Sequence, residues 1–445
     1  MQIYNRWVSV VALIIVGILG GCYGRQQGQG LTNNPNYRAL AEEIDTYFVA
    51  LQQLGQFHGV VWVEVGGEEV VTKAYNLAEV IDAGGEVEVG SQFVIASVSK
   101  LWVKHAIYRL EAEGKLGVTD SLGVYFRGFD GGSTIQIQHL LDHSSGLPRE
   151  LKEGESARLF PEDTVLALAK AERLLFEPGT DTLYSNVGYQ LLRSIIGKVS
   201  GKGYMAHLRE EMIEPMGLRY TGEYNDRKTN RANFAYGIKK DDEGNCIRID
   251  SLHIYQYELG NIISNVKELA RFGEWLGEDS VGKRMLDEEG IVSHAGGRSG
   301  YRAYFYQDEQ QDIRFIFLCN YNRIPFKKII DAVPAMIRGE AYEFPEAVNR
   351  KAISIRPELL EEYVGQFSLD VSSNTVFETY VEGDSLYLRD NSGEETVLFA
   401  ESDTVFFFAH DDPESVVFVY DSGTNQYEMV VLIEGGMRLS TSRVD

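Results

Sequence analysis

Three short clusters in this chain carry residue types that could perform acyl transfer. The first is Ser97-Val98-Ser99-Lys100. The others, far downstream, are Tyr184-Ser185-Asn186 and His294-Ala295-Gly296-Gly297. A Ser and a Lys three residues apart at a helix start share one face, so an amine can sit beside a hydroxyl and activate it. Ser97 is the candidate nucleophile; its bland alternative is a helix N-cap. Ser99, adjacent to Lys100, points off the shared face. Desolvation lowers a lysine's pKa, which fits Lys100 to accept the serine proton. A phenol near a cationic amine is biased toward phenolate, so Tyr184 is the candidate partner base and proton relay rather than a plain core tyrosine. Asn186 is read as the group that orients a substrate amide and bonds Lys100, against a turn role. Gly296 allows close backbone approach. The Ser97 and Gly297 amides are the candidate oxyanion hole. His294 is a candidate substrate-binding group.

The elements that must position these residues can be read from periodicity. Residues 39–54 read as an amphipathic helix, and 59–65 and 69–75 as strands joined by Gly66-Gly67, a hairpin signal. The helix carrying Ser97 continues through Leu101, Val103, Ala106, Ile107 and Leu110 and stops at Gly114. Residues 187–199 and 266–276 read as helices, 303–306 and 313–320 as strands, and 329–337 as a last helix. The order predicts an α/β (α+β) sandwich: an antiparallel sheet flanked by helices, plus a helical insert, with the first and last segments sharing the sheet. Beyond Pro357, short apolar strands alternate with evenly spaced turns at Glu382-Gly383-Asp384, Asn391-Ser392-Gly393, Asp421-Ser422-Gly423 and Glu434-Gly435-Gly436. That spacing predicts a C-terminal all-β, barrel-like domain.

The three clusters, in this order, resemble those of the serine β-lactamase and penicillin-binding-protein superfamily, with its S-x-x-K, S-D-N and K-T-G set. The Y-S-N and H-A-G variants resemble the class C β-lactamase, D-aminopeptidase and esterase branch. Leu140-Leu141-Asp142-His143-Ser144-Ser145-Gly146-Leu147-Pro148, Phe176-Glu177-Pro178-Gly179 and Glu214-Pro215-Met216-Gly217-Leu218 agree with it. His143, within the first of these, is expected to be structural. The resemblance implies a β-lactamase-like fold over roughly residues 40–340 and a serine hydrolase using no cofactor and no metal. His294 replaces the Lys of true β-lactamases; a neutral imidazole binds a carboxylate less well than an ammonium does. Peptide substrates, containing D-amino acids and of cell-wall type, or esters, are therefore expected over β-lactams. Leu360-Glu361-Glu362-Tyr363-Val364-Gly365-Gln366-Phe367 resembles the opening of the lipocalin-like domain often appended to such hydrolases.

The chain has 445 residues, with 66 acidic against 42 basic side chains and a formal charge of −24. Residues 351–445 alone hold 19 acidic against 5 basic groups. Such a chain repels phosphate backbones, which argues against nucleic-acid partners. Solubility accounts for the acidity. An apolar run from Trp7 to Leu19 follows Arg6 and closes on Leu19-Gly20-Gly21-Cys22. This reads as a signal peptide, and the ending resembles a bacterial lipobox with Cys22 as the lipid attachment site; an uncleaved N-terminal anchor is the alternative. An exported lipoprotein, membrane-anchored and facing the periplasm or the outside, is expected. The expected organisation is a signal peptide at 1–21, a flexible linker at 22–36, a hydrolase domain at 37–343, a linker at 344–357 and a β-rich accessory domain at 358–445. Cys246 and Cys319 remain as a possible pair, though Cys319 sits in an apolar run that suits a buried thiol. Gly277 to Arg284 nearly spells a P-loop but lacks the Ser/Thr for magnesium, and Gly383-Asp384-Ser385-Leu386 is an esterase-like string without a site around it. Three rival readings are a non-catalytic cell-envelope binding lipoprotein, a true β-lactamase and a membrane-anchored sensor of β-lactams.

Overall fold

The structure is a computed structural model that describes residues 30–129, 131–151, 162–241, 244–249, 262–369, 372–389, 395–410, 414–433 and 437–444. The N-terminal segment with Cys22 and the turns at 391–393 and 434–436 lie outside the described residues.

Five strands form the central sheet: β1 (Gly59–Val65), β2 (Glu68–Tyr75), β3 (Ile291–Arg298), β4 (Tyr301–Asp308) and β5 (Ile313–Cys319), in the order β2-β1-β5-β4-β3. Every pairing is antiparallel. Gly59 pairs with Cys319 and Val65 with Ile313, so the first and last parts of this unit share the sheet as the sequence predicts. Gly66 and Gly67 both have positive φ, 60° and 72°, which closes β1 and β2 with a two-residue turn whose twist matches the strands.

Alternation along the strands sends side chains to two separate cores. Val61, Val63, Phe315 and Phe317 meet helices α1 (Arg38–Gln53) and α5 (Phe326–Arg338). Val60, Trp62, Ile316 and Leu318 meet α2 (Lys100–Ala112), α3 (Asn186–Ser200) and α4 (Val266–Glu278). With both faces covered, a strand has no polar side to show, and all seven residues of β5 are buried. On the second face Trp102 of α2 stacks on Phe272 of α4 with ring centroids 4.2 Å apart. The helical insert lies in the chain between β2 and β3. A small sheet of Phe93–Val94, Ile262–Ser264 and Gly222–Glu223, which periodicity does not reveal, ties that insert to the segment before Ser97.

The tail folds as a closed eight-stranded antiparallel barrel: β6 (Gly365–Leu369), β7 (Ser372–Glu382), β8 (Ser385–Arg389), β9 (Glu395–Ala400), β10 (Val405–Phe407), β11 (Ser415–Asp421), β12 (Gln426–Ile433) and β13 (Met437–Arg443). Pairing of Phe367 with Arg443 closes it and removes sheet edges. Tyr363, Phe367, Leu386, Phe406, Phe418 and Met429 form its core. Gly383-Asp384 is the β7–β8 turn, and the P-loop-like string spans the end of α4 and a 3₁₀ turn at Gly282–Met285. Cys246 and Cys319 are both free thiols, so the possible pairing is not made; Cys319 is fully buried in β5, whereas Cys246 lies on the short strand Cys246–Arg248.

Candidate active site

Ser97 does not lie in α2 itself but in a 3₁₀ turn, Ala96–Ser99, that leads into it. The turn before the serine is bent: Ala96 has φ +46°, a left-handed conformation that costs a residue with a Cβ about 1–2 kcal/mol. The strain is held by its surroundings, since the Ile95 N–H bonds Ile262 O at 3.0 Å and Ala96 is 3% exposed. Three residues on, Lys100 opens α2 and is 2% exposed. Lys100 Nζ donates to Ser97 Oγ at 3.1 Å and to Asn186 Oδ1 at 2.7 Å. Its ammonium also lies 4.8 Å from the ring centroid of Tyr184 and 5.4 Å from that of Tyr189, over their negative faces.

The second cluster is the start of α3. Ser185 is the N-cap: its hydroxyl accepts from the Gly188 N–H at 3.0 Å. Asn186 is the first helical residue, and Tyr184 lies just outside. The cap explains why the middle residue is a serine and how Tyr184 and Asn186 come to flank Lys100. The loop after Leu141 clamps this start. His143 Nδ1 accepts from the Ser185 N–H at 3.0 Å, Ser185 Oγ donates to Pro148 O at 2.8 Å, and the Asn186 N–H bonds Arg149 O at 2.9 Å. The His143 ring packs 4.4 Å from Tyr184, and burial, then the charge of Lys100, holds its pKa down to about 3.

The third cluster is on edge strand β3. A Cβ at Gly296 would fall 2.3 Å from Ile95 O, so the missing side chain lets the strand touch the backbone two residues before Ser97. Gly297 is exposed beside it and pairs with Arg302. His294, two residues back on the same face, has its ring 6.5 Å from Tyr184. Part of this ring reaches solvent although protein packs round most of it; desolvation, then the Lys100 charge, lowers its pKa to about 4, against the Ala295 carbonyl bond.

Ser97, Lys100, Tyr184, Asn186 and His294 thus converge on one cleft with Gly296 and Gly297 at its edge, while Cys22 lies outside the described residues. Sequence reasoning passed over Arg149 and Glu150, which follow Pro148 directly. Arg149 places its guanidinium 5.0 Å from the Tyr184 ring centroid, and Glu150 Oε1 accepts from Asn186 Nδ2. Their signal was position: charged residues immediately after the Leu140 to Pro148 string that carries part of the resemblance. Among the described residues no group of His, Cys, Asp and Glu could hold a metal ion.

The family model described as Beta-lactamase matches residues 44–289, more than half of the chain. The chain is similar to a penicillin-binding protein of Bacillus subtilis (strain 168), 26% identical over 443 residues that cover 89% of this chain and 97% of that one. In three dimensions it is similar to the octameric penicillin-binding protein homologue from Pyrococcus abyssi, with TM-score 0.61, 20% identity and coverage of 90% and 99% of the two chains. D-amino acid amidase from Ochrobactrum anthropi SV3 shares the fold at TM-score 0.56 and 17% identity, over 66% of this chain and 99% of that one. The chain belongs to the β-lactamase family.

Proposed function

We propose that the protein is a serine hydrolase that cleaves amide or ester bonds through an acyl-enzyme. The observation that carries this reading is the half-buried contact of Lys100 Nζ with Ser97 Oγ at 3.1 Å, beside Tyr184 and Asn186. Ser97 Oγ attacks the carbonyl carbon while its proton passes to the Lys100–Tyr184 pair. The new C–O bond gives a tetrahedral oxyanion that the Ser97 and Gly297 amides receive, with Asn186 orienting the substrate amide. Collapse breaks the C–N or C–O bond, and the leaving group takes the proton from the pair. Water then attacks the acyl-Ser97 carbonyl and regenerates the serine. His294 stays uncharged near neutral pH, so it offers no cation for a β-lactam carboxylate; this favours peptides, including those with D-amino acids, and esters as substrates. No metal or cofactor is part of this mechanism.

The Leu19-Gly20-Gly21-Cys22 string supports a further part of the reading, in which Cys22 carries lipid and tethers an outward-facing enzyme to the membrane. Cys22→Ser is then expected to move the protein from the membrane to the soluble fraction; retention in the membrane rejects the tether.

The chemistry is tested by intact-mass spectrometry of the full-length protein in detergent after exposure to a fluorophosphonate. A single adduct on wild type and none on Ser97→Ala is expected. Equal labelling of both forms, or full hydrolase activity in Ser97→Ala, overturns the mechanism.

A further inference from the structure

Lys104 follows Lys100 by one helical turn in α2, so the two side chains lie on one face with Cβ atoms about 5–6 Å apart. Lys104 is half-buried. Its ammonium lies 5.9 Å from the ring centroid of Tyr108, and among the described residues no hydrogen bond or ion pair holds it. Its charge reaches the cleft: together with that of Lys100 it depresses the pKa of both His143 and His294.

The other charged groups around these two lysines have partners of their own. From the loop after Leu141, Arg149 lies over Tyr184, Glu150 accepts from Asn186 Nδ2, and the exposed Asp142 carboxylate accepts from Gln138 Nε2. From the 3₁₀ turn at Gly282–Met285, Arg284 pairs with Glu111 and lies over Tyr108. His143 and His294 are neutral near pH 7, and α3 with the residue before its cap contributes the phenols Tyr189 and Tyr184. The Lys104 charge is thus uncompensated by contact, beside a Lys100 that is 2% exposed and poorly screened by water.

We infer that Lys104 is a positioning residue that acts through the Lys100–Tyr184 pair, its uncompensated charge driving the pair toward the proton-free form that can take the Ser97 proton. This inference rests on the hydrolase reading above. A nearby cation disfavours an ammonium and favours a phenolate, so the direction is the same whichever partner gives up the proton first. A second cationic group beside a lysine is one way to free an amine for chemistry at neutral pH. The Asn186 oxygen and the faces of Tyr184 and Tyr189 hold the ammonium on Lys100, and Lys104 opposes them.

The test follows the rate at which a neutral fluorophosphonate labels Ser97 in the full-length protein in detergent, from about pH 6 to about pH 10. In wild type the rate is expected to rise with pH to a plateau as the pair loses its proton. Lys104→Gln removes the charge but keeps a polar end. It is expected to move the midpoint up by about one pH unit, with labelling below the midpoint about 10-fold slower and the plateau kept. Lys104→Arg keeps the charge and is expected to keep the wild-type midpoint. An unmoved midpoint in Lys104→Gln overturns the inference, even where the plateau falls, since a merely structural role lowers the plateau alone. An equal upward shift in Lys104→Arg overturns it too, by assigning the effect to shape rather than charge. So does a Lys104→Gln protein that labels at no pH. A wild-type rate that does not change with pH also overturns it and leaves the activated serine standing. Absence of labelling in wild type overturns the hydrolase reading itself.

Discussion

The Lys100 ammonium and the Asn186 carboxamide oxygen are 2.7 Å apart in a place almost without water, the two residues being 2% and 8% exposed. A buried cation needs such an acceptor far more than a surface one does. Removing it leaves the charge desolvated and underpaired, which costs about 1–3 kcal/mol. Asn186→Leu is therefore expected to lower the urea unfolding free energy by that amount. The same variant should slow fluorophosphonate labelling of Ser97 by about 100-fold, since Lys100 is no longer held. Unchanged unfolding together with unchanged labelling would show that Asn186 does not hold the amine.

Lys100→Met separates activity from stability in the other direction. A thioether of similar length fills the same space and removes the desolvation penalty of the charge, and replacing a buried ion by an apolar group of similar volume is often neutral or stabilising. The fold is expected to stay within about 2 kcal/mol of wild type, because the Asn186 oxygen loses a donor at the same time. Labelling should fall by about 10²- to 10⁴-fold, the usual worth of a positioned proton acceptor. A stable Lys100→Met protein that labels at the wild-type rate would remove Lys100 from the mechanism.

Gly296 and Gly297 are neighbours with opposite tolerances. A Cβ at Gly296 meets Ile95 O at 2.3 Å, whereas at Gly297 the nearest atom is Arg302 Nη1 at 3.6 Å. The first contact is backbone against backbone, so β3 or the turn before Ser97 must move. Gly296→Ala is expected to cost about 1–3 kcal/mol in thermal or urea unfolding and to impair labelling, because the displaced atoms adjoin Ser97. Gly297→Ala should fold like wild type. Equal stability losses in the two variants would show that the close approach of β3 is not what sets this edge of the cleft.

The fold and the cluster positions were legible for different reasons. The strands at 59–65 and 313–319 and the helix at 266–278 announce themselves by apolar runs or 3.6-residue spacing, and the boundaries read from sequence differ by a residue or two. Ser97, Lys100, Tyr184, Asn186 and His294 could be singled out as candidates because few residue types suit such chemistry and their order is restrictive, and the structure brings them together. The rest depends on contacts that sequence spacing does not encode. The left-handed Ala96, the 3₁₀ turn beneath Ser97 and the role of Ser185 as a cap are set by tertiary neighbours such as Ile262 and Pro148. Glu150 and Arg149 sit on a loop with no periodicity, so only the hydrogen bond to Asn186 and the ring of Tyr184 reveal them. His143, expected to be structural, does hold the Ser185 amide and also packs on Tyr184.

Acid should act on this protein through histidines that the fold keeps uncharged. His58 and His294 have pKa values lowered to about 4 and His143 to about 3, in each case mainly by burial. The unfolded chain protonates these rings near 6.5, before the folded one does. Between about pH 6.5 and 4 the unfolded state thus binds more protons, and stability falls as pH falls, by up to about 1.4 kcal/mol per pH unit for each ring. Above about 6.5 all three are neutral in both states and contribute no slope. Two of the rings have hydrogen bonds that protonation would break. His58 Nδ1 accepts from the Leu77 N–H at 2.8 Å while its Nε2 donates to Gly85 O at 2.8 Å, and His143 Nδ1 accepts the Ser185 amide. Urea unfolding midpoints measured from pH 8 to pH 4.5 are expected to be level above 6.5 and to drop below it, while the folded protein keeps the His143–Ser185 contact over that range because the folded ring protonates only near pH 3. His58→Gln should be less stable than wild type at pH 7 yet show a shallower slope, because one fewer proton is taken up on unfolding. A wild-type midpoint that stays level down to pH 4.5, or a His58→Gln slope as steep as wild type, would mean that these rings do not drive the acid response.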